Sequence, residues 1–507
     1  MSSSGLFPSK SRPPSSKPRN IVEEEEGLLS GLHQGSKSKP ESDVPNAWSR
    51  GKIVGTAAFF IALLVSGAFF RTLLHGPLAR SSHSLWYDGG DLLSNGTHDF
   101  RRTVLIVSID GLRADYLDRG LTPHLLNISK NGLRAKSMRP IFPTLTFPNH
   151  WALMTGLYAE SHGIVANNFW DPVTQKEFWY NDINSAWDPS WWFGEPMWET
   201  AGKAGLITAN LMWPGPPKTT SGATSTYFVP WKDKVPLDNK LDQILDWIDL
   251  PLEFRPQLIM AYEPSLDQAG HQKGPKSALV NKTLSEVDAF ARNLQTSLAS
   301  RNLTSIVDII FVSDHGMTDT SDPELVYMDD ILGADGLAQI EHEDGWPSMG
   351  LRFRESANAT HLVGTLKAAA GANPEKFDVY THETMPQRYH FWRSERIAPV
   401  YIVPKIGYVL TTKADGTTGM SKGSHGYDNE ETSMQAMFIA HGPFSTDVKA
   451  LHQTGNKGWH STSGGAYIMD RFQNVEVYSL VMKLLGIEDY ATPTNGTLGF
   501  WDKYLSI

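Results

Sequence analysis

The 507-residue chain contains no cysteine. That excludes disulfide frameworks, thiolate metal sites and cysteine nucleophiles together. Any metal must take its ligands from histidine, aspartate and glutamate. Positive charge is also short: 45 Lys and Arg stand against 55 Asp and Glu, a formal net charge of −10. A chain of this sign is a poor partner for a nucleic-acid backbone, and no duplex binding is expected. Hydrophobic residues make up 40% and charged residues 20%, as in an ordinary globular protein.

One long apolar run stands out. Ile53 to Phe70 carries no charge, and its 18 residues would span roughly 27 Å as a helix, near the hydrocarbon thickness of a bilayer. Residues 50–74 are therefore read as a single transmembrane signal-anchor helix. Residues 1–49 are rich in Ser, Pro, Lys and Gly and are expected to be disordered. Eight Lys and Arg precede the run, against only Arg71 and Arg80 between it and residue 90. This bias places the N-terminus in the cytosol and makes the chain a type II, single-pass membrane protein. The remainder would be luminal or extracellular, in the secretory pathway, a vacuole or endosome, or at the cell surface. Six sequons, at Asn95, Asn127, Asn281, Asn302, Asn358 and Asn495, all follow the run. The segment Glu23 to Leu29 reads as a solvated acidic run or as an acidic dileucine signal, with Glu24, Leu28 and Leu29 meeting a sorting adaptor. Residues 75–100 read as a stalk, 101–490 as a catalytic domain and 491–507 as a tail.

Within that domain, apolar β-branched runs alternate with helical patterns. Thr103 to Ile109, Gln257 to Tyr262 and Val307 to Ser313 read as buried parallel strands. Pro123 to Asn131, Asp238 to Leu250 and Lys276 to Ser300 read as helices. The pattern predicts an α/β fold, a mostly parallel sheet flanked by helices. Residues 325–423 break into short alternating runs around one helix, a small α+β insertion. Trp170 to Trp198 reads as an aromatic-rich loop region, either a packed lid or a wall that stacks on a flat ligand. Nine of 16 tryptophans fall between Trp151 and Trp231.

The strand ends carry the chemistry. Asp110 follows one strand, Asp267 and His271 a second, Asp314 and His315 a third, and His425 precedes a fourth. In a parallel sheet these ends converge on one edge, where ligands bind. Capping explains the aspartates but not the three histidines, each beside a glycine. Carboxylates and imidazoles without thiols suit one or two zinc ions. Two metals would clamp the attacking and leaving oxygens of a phosphoryl group. Thr146 lies between Pro143 and Pro148, ahead of a helix expected from Asn149 to about Thr155. Its hydroxyl is either a helix cap or a nucleophile held near a helix N-terminus. The residues alone thus point to metal-assisted phosphoryl or related ester transfer.

The motifs are Asp110-Gly-Leu-Arg113, Pro143-Thr-Leu-Thr-Phe-Pro-Asn-His150, Thr155-Gly-Leu-Tyr158 with Glu160-Ser-His-Gly163, Asp267-Gln-Ala-Gly-His271, Asp314-His-Gly-Met317 and His425-Gly-Tyr-Asp-Asn429. In this order they resemble the type I phosphodiesterase/nucleotide pyrophosphatase family of the alkaline phosphatase superfamily. The resemblance implies an alkaline-phosphatase-like fold and two zinc ions. Asp110, Asp314, His315 and the Thr146 oxygen would hold the first, and Asp267, His271 and His425 the second. Thr146 would form a phosphothreonine that water then hydrolyses. Asn167 would donate to a phosphate oxygen, and Phe147 and Trp231 would sandwich a nucleobase. The run Glu263-Pro-Ser-Leu before Asp267 is two residues longer than the usual family run, so the local loop is expected to differ. The chain resembles the shorter membrane-anchored fungal-type members, which lack the cysteine-rich and nuclease-like modules of animal ectoenzymes.

The implied activity is hydrolysis of nucleoside triphosphates, dinucleotides or other phosphodiesters to a nucleoside monophosphate. Competing readings are a phosphomonoesterase, a phospholipid-head-group phosphodiesterase of the same superfamily, and a catalytically inactive membrane glycoprotein. A sulfatase is disfavoured, because it uses a cysteine- or serine-derived nucleophile.

Overall fold

The structure is a computed structural model that describes residues 92–445, 448, 459–461 and 467–505. The expected cytosolic tail, the transmembrane helix, the sorting signal and most of the stalk lie outside the described residues. Among the described residues, no helix is long and apolar enough to cross a membrane.

In chain order the main elements begin with β1 (Thr103–Ile109), α1 (Pro123–Asn131), β2 (Leu133–Ala135), α2 (Thr146–Thr155), β3 (Thr208–Leu211), β4 (Tyr227–Val229), α3 (Leu237–Ile248) and β5 (Leu258–Glu263). There follow α4 (Ser265–Lys273), α5 (Ala278–Ser300), β6 (Val307–Val312), β7 (Ile340–Asp344), β8 (Met349–Phe353), α6 (Ala359–Ala372), β9 (Phe377–Thr381) and β10 (Val400–Pro404). The chain closes with β11 (Phe438–His441), β12 (Trp459–Ser461), β13 (Tyr467–Met469) and α7 (Val477–Leu485).

A nine-stranded sheet organises the domain in the order β12-β13-β2-β11-β6-β1-β5-β3-β4. The run β6-β1-β5-β3-β4 is parallel throughout. β11 is antiparallel to β6, so the sheet is mixed where the sequence predicts it mostly parallel. The reversal has a consequence for the site. A reversed strand starts at the edge where its neighbours end, and this brings the segment before β11, with His425, to that edge. The apolar strands divide their residues between two cores, as a period of two requires. Val104 and Ile106 face one core with Met260 and Ile310. Leu105, Val107 and Ile109 face the other with Ile259, Phe311 and the inner stripe of α5, Val287, Phe290 and Leu294.

Within the span read as an insertion, β7-β8-β10-β9 form a second, four-stranded sheet with its own core around Leu351, Leu366, Phe377 and Ile402. A short ladder pairs Thr318–Asp319 with Gly423–Ser424 at its neck. The aromatic stretch is more ordered than a loop: Asn168–Asp171 and Lys176–Trp179 form an antiparallel hairpin. Phe178, Trp191 and Trp192 are buried in the first core. Residues past 490 pack back on the domain, with Trp501 and Tyr504 buried in the same core. The last part of the expected stalk pairs Leu93–Ser94 with Asp99–Phe100, and the Arg255 guanidinium lies over the Phe100 ring.

Candidate active site

Thr146 is the first residue of α2, not the residue ahead of it; Leu145 is the N-cap and supplies no side-chain cap. Pro148 fits inside the first turn because amide hydrogens there have no intrahelical partner. Asn149 shapes the entry. Its Oδ1 accepts from Ile141 N at 2.7 Å, and its Nδ2 donates to the Pro143 and Leu145 carbonyls at 3.0 and 2.9 Å. The Thr146 hydroxyl therefore caps nothing. It faces His315 Nε2 at 3.1 Å.

The six expected metal ligands gather around it and are all buried. Asp110 follows β1, and Asp314 and His315 follow β6. Asp267 lies in the first turn of α4, which starts directly after β5. Asp267 and His271 then lie on one helix face at i, i+4 spacing, Oδ2 to Nε2 3.3 Å. His315 Nε2 lies 3.0 Å from Asp314 Oδ2 and 3.4 Å from Asp110 Oδ1. His271 and His425 meet Nε2 to Nε2 at 3.1 Å, and the His425 ring stacks on His315 at 3.6 Å.

Three observations show that this donor set fits cations. Each histidine Nδ1 is bound to a carbonyl, which can only accept: His271 to Gly423 O at 2.8 Å, His425 to Thr144 O and His315 to Gly316 O, both at 2.9 Å. The hydrogen is thereby fixed on Nδ1 and the Nε2 lone pairs point inward, as metal-binding imidazoles require. Second, Asp110 Oδ1, Asp267 Oδ1 and Asp314 Oδ2 are buried carboxylate oxygens without a hydrogen-bond partner. Third, the electrostatics are unbalanced. Burial, then the Asp314 and Asp267 charges, pushes Asp110 well above the usual carboxylate range. Burial also raises Asp267, but His271, His425 and His315 outweigh it and hold the group below its usual range. Burial and the neighbouring His315 push His425 down to about 3.

The ligand atoms cluster as Asp267, His315 and His425 and as Asp110, His150 and Asp314. His150 is a residue that the sequence reading assigned no role. Its Nδ1 is bound to Thr146 O at 2.9 Å and its Nε2 to Ser108 Oγ at 2.8 Å, so the ring offers no lone pair to the cavity. The i, i+4 spacing from Thr146 was the signal for it. Three other positioning groups were also missed. Tyr262 donates to Asp110 Oδ2 at 2.5 Å. Thr144 donates through Oγ1 to Tyr427 O and accepts from Gly426 N, tying the Thr146 loop to the His425 loop. Gly111 takes φ +67° against Asp267; a Cβ there would meet Asp267 Oδ1 at 3.0 Å.

Asn167 joins the site from the aromatic hairpin. Its Oδ1 accepts from Phe147 N at 3.1 Å, leaving Nδ2 as a donor. Phe147 is half-buried and edges onto Tyr180, with centroids 5.3 Å apart. Most of the aromatic stretch is thus packed lid, with Phe147 and Tyr180 at its partly exposed rim. Trp231 packs against the other core.

A hydroxyl on a helix N-terminus, facing carboxylates and imidazoles at the carboxyl edge of such a sheet, defines the alkaline phosphatase superfamily of metal-assisted hydrolases. Within it the chain belongs to the Type I phosphodiesterase / nucleotide pyrophosphatase family, whose sequence profile matches residues 104–428. It is 38% identical over 415 residues to a Schizosaccharomyces pombe protein described as an uncharacterized pyrophosphatase/phosphodiesterase, covering 80% of this chain and 81% of that one. It is 34% identical to mouse ectonucleotide pyrophosphatase/phosphodiesterase family member 3, covering 78% of this chain and 43% of that one. The chain thus spans less than half the length of that animal ectoenzyme. Murine ectonucleotide pyrophosphatase/phosphodiesterase 5 superposes with a TM-score of 0.69 at 31% identity, over 80% of this chain and all of that one. A structure of that murine protein as an inactive threonine-to-alanine variant, in complex with AMP, superposes equally well at 30% identity.

Proposed function

We propose that this chain hydrolyses nucleotide phosphodiesters and pyrophosphates to a nucleoside monophosphate, with Thr146 as nucleophile. The carrying observation is the Thr146 hydroxyl, which caps no helix and stands 3.1 Å from His315 Nε2 among the converging ligands. Asp110, Asp314 and His315 with the Thr146 oxygen would hold one zinc ion, and Asp267, His271 and His425 a second. Bound there, the ions lower the pKa of the hydroxyl and offset the charge on the phosphate. Thr146 Oγ gives its proton to solvent and forms a bond to phosphorus as the opposite ester or anhydride P–O bond breaks, its electron pair leaving with the departing alcohol or phosphate oxygen. Water then cleaves the phosphothreonine and restores the hydroxyl. The Asn167 amide donates to a non-bridging oxygen and so offsets charge in the transition state. Phe147 gives the base a face to stack on, with Trp231 as a second wall. The AMP bound by the murine relative supports a nucleoside monophosphate product.

The soluble domain should release nitrophenol from a thymidine monophosphate nitrophenyl ester far faster than from nitrophenyl phosphate. The opposite ranking would favour a phosphomonoesterase. Thr146→Ala should abolish turnover while zinc stays bound; retained turnover removes the nucleophile assignment. The same reading places the domain on the luminal or extracellular side, anchored by residues 50–74 and glycosylated. Deglycosylation should reduce the mass of the full-length protein, and an unchanged mass counts against that side. Glu24, Leu28 and Leu29 would meet a sorting adaptor; unchanged distribution after Leu28→Ala with Leu29→Ala removes that role.

A further inference from the structure

The ring that ties the nucleophile's helix to the ligand shell is His150. It is fully buried on α2, one turn after Thr146. Its Nδ1 lies 2.9 Å from Thr146 O, a carbonyl that only accepts, so Nδ1 carries the hydrogen. The same nitrogen stands 3.3 Å from Asp314 Oδ2, an oxygen with no hydrogen bond of its own. Nε2 is met by Ser108 Oγ at 2.8 Å, from β1, the strand that Asp110 follows. The ring cannot turn away. Trp213 and Tyr262 stand edge-on to it at 5.3 and 5.0 Å, and Tyr262 itself donates to Asp110 Oδ2.

We propose that His150 is a positioning residue for this reaction. It fixes the Thr146 turn against Asp314 and sets the direction of the Asp314 carboxylate, without itself ligating metal. One N–H edge serves both ends of the bond-forming geometry. It pins the peptide that carries the hydroxyl, and its positive edge holds Asp314 Oδ2 aimed into the cavity. Outer groups of this kind typically change metal affinity or turnover about 10–100-fold. The proposal rests on Thr146 as nucleophile and on the ligand shell around it.

The test compares His150→Leu, His150→Asn and His150→Gln with the native protein. An Asn amide nitrogen overlays the Nδ1 position, whereas the Gln nitrogen overlays Nε2. Zinc affinity is measured without substrate, by competition with a chromophoric chelator, beside kcat and KM on the nitrophenyl ester. The Leu and Gln variants should lose about 10–100-fold in zinc affinity and kcat, with KM within about twofold. The Asn variant should recover most of both. Native affinity and kcat in His150→Leu overturn the proposal. So does equal loss in the Asn and Gln variants, including failure of both to fold, which assigns His150 to core stability alone. If the Leu variant does not accumulate, the Asn–Gln comparison decides. Failure of the Thr146 reading shows separately, as turnover retained by Thr146→Ala, while zinc affinity without substrate still tests His150.

Discussion

Replacing Asp344 with asparagine should flatten the dependence of stability on pH. Asp344 ends β7 and is 1% exposed. Its Oδ1 accepts from Trp170 N at 2.8 Å, which joins the insertion to the hairpin that begins beside Asn167. Arg352 reaches Oδ2 only through Nε, at 3.3 Å, while its Nη2 donates to the Glu395 and Arg396 carbonyls. One long contact does not offset burial, which pushes the carboxyl from 3.8 up to about 7. At 1.36 kcal/mol per unit, ionising it in this pocket costs about 4 kcal/mol relative to the unfolded chain. The sign follows from linkage. A carboxyl raised on folding contributes stability that is full below the unfolded value and lost as pH rises to about 7. The native protein should therefore lose stability relative to Asp344→Asn between about pH 4 and about pH 7. Asparagine keeps an acceptor for Trp170 and has no charge to desolvate. Urea midpoints for both proteins across that range check this, because titrations common to the two cancel in the difference. Curves that run parallel would refute the reasoning.

Gly111→Ala should weaken metal binding. The left-handed backbone costs about 1–2 kcal/mol for a side chain, and the new Cβ would push on Asp267, which competition titration of zinc would register as at least about tenfold weaker affinity. Tyr262→Phe removes the hydroxyl that orients Asp110; zinc affinity should fall about tenfold with the circular dichroism unchanged, and undiminished affinity would remove that role. Chelation should abolish turnover and lower the unfolding midpoint, because it leaves the buried carboxylates uncompensated; an unmoved midpoint would count against a metal that supports the fold. His162, from the Glu160-Ser-His-Gly163 motif, is buried with Nε2 on Pro148 O and Ile164 N on its Nδ1. Burial lowers it to about 3, so its share of stability is full above 6.5 and lost as pH falls toward 3. His162→Gln should show a shallower acid-unfolding profile by fluorescence.

The parallel strands were legible because both faces are buried, which makes Thr103 to Ile109 one apolar run. The ligands were legible because Asp110, Asp314 and His315 directly follow such runs. The direction of β11 was not, since a four-residue apolar strand reads the same either way. The aromatic hairpin hid because its burial alternates but its residue types do not: Trp170 and Trp179 on the less buried face are as apolar as Phe169 and Phe178 on the buried one. His150 was hidden for another reason. Only its i, i+4 spacing from Thr146 is local; Ser108 and Asp314 are distant in sequence, and no local pattern encodes them. Thr144 and Asn149 act likewise, through hydrogen bonds to main chain.

The ladder between Thr318–Asp319 and Gly423–Ser424 makes the insertion a cassette. Its entrance and exit are already hydrogen-bonded to each other, directly after Asp314-His315 and directly before His425. A transplanted segment of another length would meet the same two anchor points. Exchanging it would leave the spacing of Asp314, His315 and His425 as it is. The insertion can thus change in length without renegotiating the sheet.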